Sequence, residues 1–391
     1  FTNASAEEMQ LRVMKRLHAN VARRVTAKTF AKAFLDQHRP LRNHRKLVLG
    51  AEFKSYLIRA MQNLSYDMKI LAQAERAVDE IGRDLTWAPS GDSWDDLYTE
   101  LQNLLAIYRK VDLNTVCKEV IFALSSGQIK PLDYTHILID EFQDTDDIQY
   151  QWMLLHKSPN RFFTVVGDDD QSIYSFRGAC GYHNMIAFKQ DFNASAYLLS
   201  TCFRCSPLIL GRGQRLIEHN ENRIQKDMRS AKSDMGKVYS LPYNSNYISP
   251  FTQMLESADN IDGIAKSRPN MKKPEEYRFV VDHIADDYSN WAVLARTNLH
   301  LDELEKALSE RGIPATRLGG KSIYDSPDVL GVIKLLYGIC NPRSVDILIE
   351  GLAWLGEPED SLQSIMYFFH KLQSNNAKWY SIPTKLCHRL E

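Results

Sequence analysis

The chain has 391 residues, a formal net charge of −1, 44% hydrophobic residues and 25% charged residues. This composition is typical of a soluble globular protein, and the length predicts two or three domains. No apolar run approaches the roughly 18 residues that a membrane span needs, and the N-terminus has no signal-peptide pattern. The sequence therefore argues against a membrane protein and gives no support for secretion.

Residues 1–50 are basic, with eleven Lys and Arg residues against three acidic ones. One interpretation is a helix face that is simply solvated. The other is a surface for a polyphosphate such as a nucleic acid, because each neutralised phosphate releases counterions. Charge alone favours neither interpretation over the other.

Helical periodicity dominates residues 48–128, interrupted by the loop-forming segment WAPSGDSWDD at 87–96. After that the pattern changes. HILI (136–139) predicts a strand, a helix is predicted to begin near Thr145, and RFFTVV (161–166) predicts a second strand. A strand, a helix and a strand within about thirty residues predict a βαβ unit, whose strands are parallel.

The C-terminal half has a similar alternation. Further strands are predicted at AYLLS (196–200) and WAVLARTN (291–298), followed by a helix at LDELEKALSERG (301–312). IPATRLGG (313–320) completes a second strand–helix–strand pattern, which predicts a second α/β domain. From about residue 343 onward the sequence is again helical.

The six cysteines are scattered along the chain, as is typical of reduced thiols in a cytoplasmic protein. Cys202 and Cys205 do form a C-x-x-C sequence, in STCFRCSP. A zinc site needs a second ligand pair at suitable spacing, and none follows. We therefore interpret all six as ordinary thiols.

Acidic residues follow both strands of the predicted βαβ unit. Asp140 and Glu141 come directly after the first strand, and Asp168 follows the second. Ligands of open parallel sheets bind outside the carboxyl ends of the strands, so both turns are predicted to face one crevice. Carboxylates there suit a hydrated Mg²⁺ with phosphate as co-ligand, and a group that activates water. The other acidic residues of the first turn are interpreted as caps of the next helix: Asp144, Asp146 and Asp147.

The segment VVGDDDQSIYSFRGA (165–179) combines an amide with aromatic and basic side chains. Gln171 lies where an amide can contact a terminal phosphate. Tyr174, Phe176 and Arg177 follow it, and aromatic residues interleaved with Arg are typical of a platform on which unpaired bases stack. Tyr174 or Phe176, considered alone, is equally well explained as a residue of a hydrophobic core.

DEFQD (140–144) followed by VVGDDDQSIYSFRGA resembles the Walker B and third motifs of UvrD/Rep-like superfamily 1 (1A) DNA helicases. Two segments depart from the family's pattern. In VTAKTFAKAF (25–34), Ala31 stands where the family usually has the His of a Thr-Phe-His sequence. In LLSTCFRCSP (198–207), Cys202 and Phe203 stand where its Leu-x-x-Asn-Tyr-Arg-Ser element has Asn and Tyr. The resemblance covers most of residues 1–340. Other segments agree in the same order: FTNASAEEM (1–9), VTAKTFAKAF (25–34), LLSTCFRCSP (198–207) and residues 293–336.

The resemblance implies an α/β fold with RecA-like parallel-sheet motor domains of the P-loop NTPase type and helical insertions. The first RecA-like domain is then expected at 1–45 and 125–195, interrupted by a helical insertion at 46–124. The second is expected at 196–342, and residues 343–391 begin a second helical insertion.

The resemblance also implies residue roles in an ATP-dependent 3′–5′ helicase that uses ATP and Mg²⁺. Asp140 resembles the Mg²⁺ partner, and Glu141 the carboxylate that activates the attacking water. Gln171 resembles the γ-phosphate sensor. Arg204 resembles the arginine of the second motor domain that stabilises charge on the transferring phosphoryl group.

The implied nucleic-acid partners are single-stranded DNA and 3′-tailed duplex DNA, with a protein loading partner and no membrane. Phe1, Tyr174 and Phe176 resemble residues that stack on single-stranded bases, although relatives usually have Trp at the position of Phe176. Arg177 is expected to hold the backbone. The resemblance also favours the nucleic-acid interpretation of the basic N-terminal residues, and two weaker candidates for DNA contact are Thr29 and Phe30.

The phosphate-loop sequence G-x-x-x-x-G-K-[ST] does not occur in the 391 residues, and the family's C-terminal motifs are missing too. We therefore expect a piece of a motor that is inactive by itself. The alternative is a non-catalytic module, derived from such a helicase, that binds single-stranded DNA or a partner protein. A metal-dependent nuclease is disfavoured because it leaves Gln171 and the aromatic residues unexplained.

Overall fold

The computed structural model describes residues 3–173, 181–238, 281, 284, 288–295, 297–318, 326–341 and 344–374. They form helices with short parallel sheets, which fits the predicted α/β class. The chain divides into two compact units, each described here by itself. The first comprises the described residues of 1–199, 217–226 and 322–391, and the second those of 200–216 and 227–321.

The helices and strands of the described residues are numbered in chain order. The helices are α1 (Asn3–Arg16), α2 (Ala19–Ala22), α3 (Phe30–His38), α4 (Gly50–Asn63), α5 (Leu71–Arg83), α6 (Ser93–Ile107), α7 (Leu113–Ser125), α8 (Asp147–Leu155), α9 (Gly181–Asp191), α10 (Pro207–Ile217), α11 (Asn298–Glu310), α12 (Pro327–Cys340), α13 (Val345–Trp354) and α14 (Glu359–Ser374). The strands are β1 (Lys46–Leu47), β2 (Lys110–Val111), β3 (His136–Ile139), β4 (Phe162–Val165), β5 (Thr201–Cys202) and β6 (Arg229–Ser230). None of these helices is long and apolar enough to cross a membrane.

The predicted βαβ unit is confirmed. β3 and β4 are parallel, with His136 opposite Phe162 and Ile139 opposite Val165, and α8 connects them. Asp146 caps α8, since its Oδ1 accepts the Gln149 N–H at 2.8 Å, which confirms the capping interpretation for this residue. Asp147 is the first residue of α8, whereas Asp144 does not cap it and lies in the preceding Phe142–Asp144 turn.

A hydrophobic core holds this sheet against α3, α7, α8 and α9. Phe34, Phe142 and Met153 are almost completely buried in it. Trp152 of α8 is anchored there, because its Nε1 donates to Gln37 Oε1 of α3 at 2.7 Å. The core therefore fixes where β3 ends and where its acidic turn begins.

Residues 48–128 are mainly helical, as predicted. α4, α5 and α6 enclose a separate core of fully buried side chains, among them Leu57, Leu97 and Leu101. The predicted loop is shorter than expected, because α6 begins at Ser93.

The predicted helices after residue 343 are confirmed as α13 and α14, and they belong to the first unit. Their core includes Ile349 and Leu362, with Tyr108 packed against it. Glu350 of α13 pairs with Lys110 at 2.7 Å and with Lys334 at 2.5 Å. This ion network connects α13 with β2 and α12.

The second unit contains the parallel pair β5–β6 and helix α11. The helix predicted at 301–312 is confirmed, but it begins at Asn298 and ends at Glu310, two residues before Gly312. The predicted strands at 196–200, 291–298 and 313–320 were wrong for their described residues, which are irregular except for Asn298, the first residue of α11. In the first of these segments Tyr197 is 86% exposed and Leu199 80% exposed. A short apolar run forms a strand only where the fold buries it, and the segment 196–200 is exposed.

Candidate functional site

The carboxyl ends of β3 and β4 meet at one edge of their sheet. The Val166 N–H donates to Ile139 O at 2.8 Å, and the Phe142 N–H donates to Val166 O at 2.9 Å. These bonds continue the pairing past both strands. The turn that carries Asp140 and Glu141 therefore lies beside the turn that carries Asp168.

Asp140 and Glu141 are both exposed at this edge. Asp140 Oδ1 accepts the Glu141 N–H at 3.0 Å. Glu141 has φ +52°, in the left-handed region that residues other than glycine rarely adopt. Such backbone strain persists where the surrounding structure over-determines it, and it clusters at active sites. Here the strain turns the chain sharply from the strand into the Phe142–Asp144 helical turn.

Gln143 joins the two acidic turns. Its side chain is almost completely buried, its Nε2 donates to Glu141 Oε2 at 2.8 Å, and its Oε1 accepts the Asp168 N–H at 3.0 Å. Gly167 makes room for this amide, because a Cβ there would lie 2.7 Å from Gln143 Oε1. Gln143 was not among the functional residues predicted from the sequence. The sequence feature that distinguishes Gln143 is its uncharged amide within the otherwise acidic turn DEFQD (140–144).

The amide of Gln171 is held by the same turn. Its Nε2 donates to Asp168 Oδ2 at 2.7 Å, and the side chain is exposed. A chain of hydrogen bonds therefore runs from Glu141 through Gln143 and Asp168 to Gln171. The two predicted functional residues, Glu141 and Gln171, are connected without touching.

Two cations, both missed by the sequence analysis, neutralise the acidic triplet Asp168–Asp170. Lys226 Nζ lies 2.7 Å from Asp169 Oδ1 and 3.1 Å from Asp170 Oδ2, and it also pairs with Asp168. Arg223 donates to both carboxylate oxygens of Asp170, at 2.9 and 2.7 Å. Burial raises the pKa of Asp170, but Arg223 and Lys226 outweigh it and hold that pKa below its usual value.

The triplet carboxylates are close enough to hold one metal ion, but the Lys226 ammonium already lies among them. The local sequence signal for this contact was weak. Arg223 and Lys226 lie in an irregular polar segment, NENRIQKDM, more than fifty residues from the triplet.

The Asp140 turn fits a hydrated divalent cation better than the triplet does. Mg²⁺ is usually held by one or two carboxylates together with water and substrate phosphate, so converging ligands are not required. Asp140 is an exposed carboxylate, and Asp144 Oδ1 is buried without a hydrogen-bond partner among the described residues. Burial and the neighbouring Glu141 raise the pKa of Asp144. A positive charge added at this turn would offset the negative charges of Asp140 and Asp144.

Thr29 and Phe30 have structural contacts. Thr29 is buried and caps α3, its Oγ1 accepting the Lys32 N–H at 3.2 Å. Phe30 packs edge-on against Trp152, with 5.6 Å between ring centroids. Their contact with DNA stays a prediction.

Arg204 lies in the second unit, exposed, two residues after β5. Four predicted DNA-binding residues lie outside the described residues: Phe1, Tyr174, Phe176 and Arg177.

Two family models match the chain in succession. The UvrD/REP helicase N-terminal domain matches residues 1–193, and the UvrD-like helicase C-terminal domain matches residues 197–355. The two matched ranges include every segment on which the resemblance is based.

Known relatives agree with the models. The chain is 26% identical to the ATP-dependent DNA helicase PcrA of Leuconostoc citreum over 368 residues, which is 88% of this chain and 46% of that protein. It is 30% identical to the ATP-dependent DNA helicase PcrA of Staphylococcus epidermidis over 209 residues, 53% of this chain and 26% of that protein. The chain thus spans less than half the length of these relatives. With both family models matched and the two acidic turns joined at one sheet edge, the chain belongs to the UvrD/Rep-like family of superfamily 1 helicases.

Proposed function

We propose that the chain is part of an ATP-dependent DNA helicase that moves 3′ to 5′ along single-stranded DNA. The observation that supports this most directly is the hydrogen-bonded connection from Glu141 through Gln143 and Asp168 to Gln171. It links a carboxylate suited to water activation with an amide suited to sensing phosphate. Coupling of this kind is what a nucleotide-driven motor requires.

In this proposal each residue at the edge has one task during hydrolysis. Glu141 accepts a proton from the attacking water, and its exposure gives water access to it. Gln171 donates its amide to the terminal phosphate after leaving Asp168. Asp140 would hold Mg²⁺, which supplies charge neutralisation at the phosphates. Arg204, from the second unit, stabilises negative charge on the phosphoryl group in transfer.

The proposed DNA path uses aromatic stacking. Phe1, Tyr174 and Phe176 stack on successive bases, and Arg177 holds the backbone. Thr29, Phe30 and the basic N-terminal residues add contacts to the strand. The proposed substrate is a 3′-tailed duplex in the cytoplasm, with a protein partner that assists loading.

The proposed architecture is two RecA-like domains of the P-loop NTPase type. Residues 1–45 and 125–195 form the first domain and 196–342 the second, with helical insertions at 46–124 and from 343 onward. The parallel β3–β4 pair with its connecting helix supports this assignment for the first domain.

A second candidate is a non-catalytic module that binds single-stranded DNA or a partner protein. It is favoured by one observation, that the 391 residues contain no G-x-x-x-x-G-K-[ST] sequence. That sequence supplies the backbone N–H cradle for the β- and γ-phosphates. ATP turnover by the intact gene product that carries these residues separates the two candidates.

The test is strand separation by that gene product, with 3′-tailed and 5′-tailed duplexes of the same sequence. We expect ATP-dependent unwinding of the 3′-tailed substrate only. Phe176→Ala should weaken binding of single-stranded DNA about 5- to 100-fold, the cost of one lost stacking contact. Tyr367→Ala, which removes an exposed aromatic residue of α14, is the matched control and should bind normally.

Unwinding from 5′ tails would contradict the proposed polarity. DNA binding without ATP turnover would support the non-catalytic candidate instead. Phe176→Ala binding as tightly as the parent protein would contradict the proposed DNA path.

A further inference from the structure

The C-x-x-C sequence of the second unit has a defined geometry. Cys202 ends β5, and Cys205 comes just before α10. The Ser230 hydroxyl of β6 donates to the Cys205 carbonyl oxygen at 2.7 Å, so the backbone at Cys205 is tied to the neighbouring strand. Both thiols are half-buried, and Arg204 between them is exposed.

The sulfur of Cys202 faces the backbone of the residues that follow it. It accepts the Cys205 N–H at 3.4 Å. The N–H groups of Cys205 and Arg204 lower the pKa of Cys202, and the Cys205 thiol and the Arg204 charge add to this effect against partial burial. A thiolate stabilised in this way is the reactive form of cysteine.

A metal site does not account for the pair. Zinc takes four protein ligands in a structural site and three in a catalytic one. Among the residues that the structure describes, no third His, Cys, Asp or Glu gathers around Cys202 and Cys205 into a metal-binding cluster.

We propose that Cys202 and Cys205 form a reversible dithiol–disulfide pair that exchanges with low-molecular-weight disulfides. In the first step the Cys202 thiolate attacks a disulfide RSSR, which forms a Cys202–SR mixed disulfide and releases RS⁻. The Cys205 thiol then loses its proton to solvent and attacks the Cys202 sulfur. The Cys202–Cys205 bond forms, and a second RS⁻ leaves. One RSSR is reduced to two thiols, and the protein loses two electrons and two protons.

Closure of this ring has a consequence for Arg204, which lies inside it. The disulfide removes the thiolate beside the guanidinium and fixes the backbone on both sides of the arginine. An effect on ATP turnover follows only if Arg204 acts as in the proposed function. The disulfide itself forms or fails to form independently of that role.

The test is a tryptic map of the full chain without reduction, after incubation with oxidised glutathione near neutral pH. Trypsin cleaves after Arg204, so a Cys202–Cys205 bond joins peptide 190–204 to peptide 205–212. We expect this linked pair as the main product, and its disappearance on treatment with reduced glutathione. Cys202→Ser should abolish the link, and Cys205→Ser should stop the reaction at the glutathione adduct of Cys202.

The exposed thiol of Cys340 is the internal control, and it should form only a glutathione adduct, more slowly than Cys202 reacts. A stable adduct on Cys202 in the parent chain would overturn the proposal, as would two free thiols at 202 and 205 while Cys340 reacts. Stoichiometric zinc retained by the pair would overturn it as well. None of these readouts depends on ATP turnover, so failure here is distinct from failure of the helicase proposal.

Discussion

The side chain of Gln143 bridges Glu141 and Asp168, with its Nε2 2.8 Å from Glu141 Oε2 and its Oε1 3.0 Å from the Asp168 nitrogen. An amide can donate to a carboxylate through its nitrogen and accept from a backbone N–H through its oxygen, whereas an ionised carboxylate can only accept. The bridge therefore orients the proposed general base and joins it to the turn that holds Gln171.

Replacing Gln143 by Glu keeps the shape of this side chain and removes its donor. The new carboxylate repels that of Glu141 and can no longer donate a hydrogen bond to it, so Glu141 loses the contact that orients it. We expect kcat for ATP hydrolysis by the intact gene product to fall about 10-fold or more. Binding of single-stranded DNA should not change. A parental kcat would show that Gln143 does not position Glu141.

Lys226 neutralises three carboxylates from a half-buried position, and Lys226→Met leaves Asp168 and Asp169 without this cation while Arg223 still pairs with Asp170. We expect the free energy of unfolding to fall by about 3 kcal/mol in urea denaturation. Added Ca²⁺ should recover part of this loss in the variant and leave the parent unchanged, because the freed triplet can then hold a cation. Arg229→Met is the matched control, since its pair with Asp227 is exposed and should be worth under about 1 kcal/mol. Equal losses in the two variants would contradict the assigned role of Lys226.

Glu119 predicts an acid-sensitive contact between α7 and the end of α3. It lies 2.6 Å from His38 Nε2, and Arg45 donates to both of its oxygens, at 2.8 and 2.6 Å. Burial raises its pKa, but His38 and Arg45 outweigh burial and lower the pKa from 4.5 to about 2. Because the folded pKa is depressed, the contribution is complete above about pH 4.5 and is lost as pH falls toward 2.

Glu119→Gln should therefore cost about 2 kcal/mol of unfolding free energy at neutral pH, and progressively less between pH 4.5 and 2. Urea denaturation of both proteins across this range measures the difference. Glu8→Gln, at an exposed ion pair with Arg12, is the control and should show almost no loss. A loss that does not depend on pH would contradict the assignment to Glu119 ionisation.

Glu350 stabilises the packing of α13 on β2 and α12. Glu350→Gln leaves the buried Lys110 and the half-buried Lys334 with less compensation, and we expect a loss of about 3 kcal/mol in unfolding free energy. Asp346→Asn on the same helix is the control, because its pair with Lys46 spans 3.6 Å and is exposed. Equal stability of the two variants would contradict the role given to the buried network.

The sequence was most informative where local pattern and tertiary structure agree. The β3–α8–β4 unit was predictable because its apolar strands are bounded by turn residues and its helix has an acidic cap. The meeting of Asp140 and Asp168 at one edge followed from parallel pairing. Helices α4 to α7 were also predictable, because their sequence periodicity agrees with the tertiary structure.

Partners far apart in sequence were not predictable. Gln143 reaches Asp168 and Lys226 reaches Asp168–Asp170 only because the fold brings distant turns together. The wrongly predicted strand at 196–200 has a related cause. Segment 196–200 is as apolar as β3, but its Tyr197 and Leu199 remain exposed, and pairing begins only at Thr201.

The most direct test of the account is steady-state ATP hydrolysis by the intact gene product, with and without single-stranded DNA, beside Glu141→Gln. The account predicts DNA-stimulated turnover that Glu141→Gln lowers about 100-fold or more, with DNA binding retained. Hydrolysis by Glu141→Gln at the parental rate, or no turnover by the parent protein with DNA bound, would contradict the account.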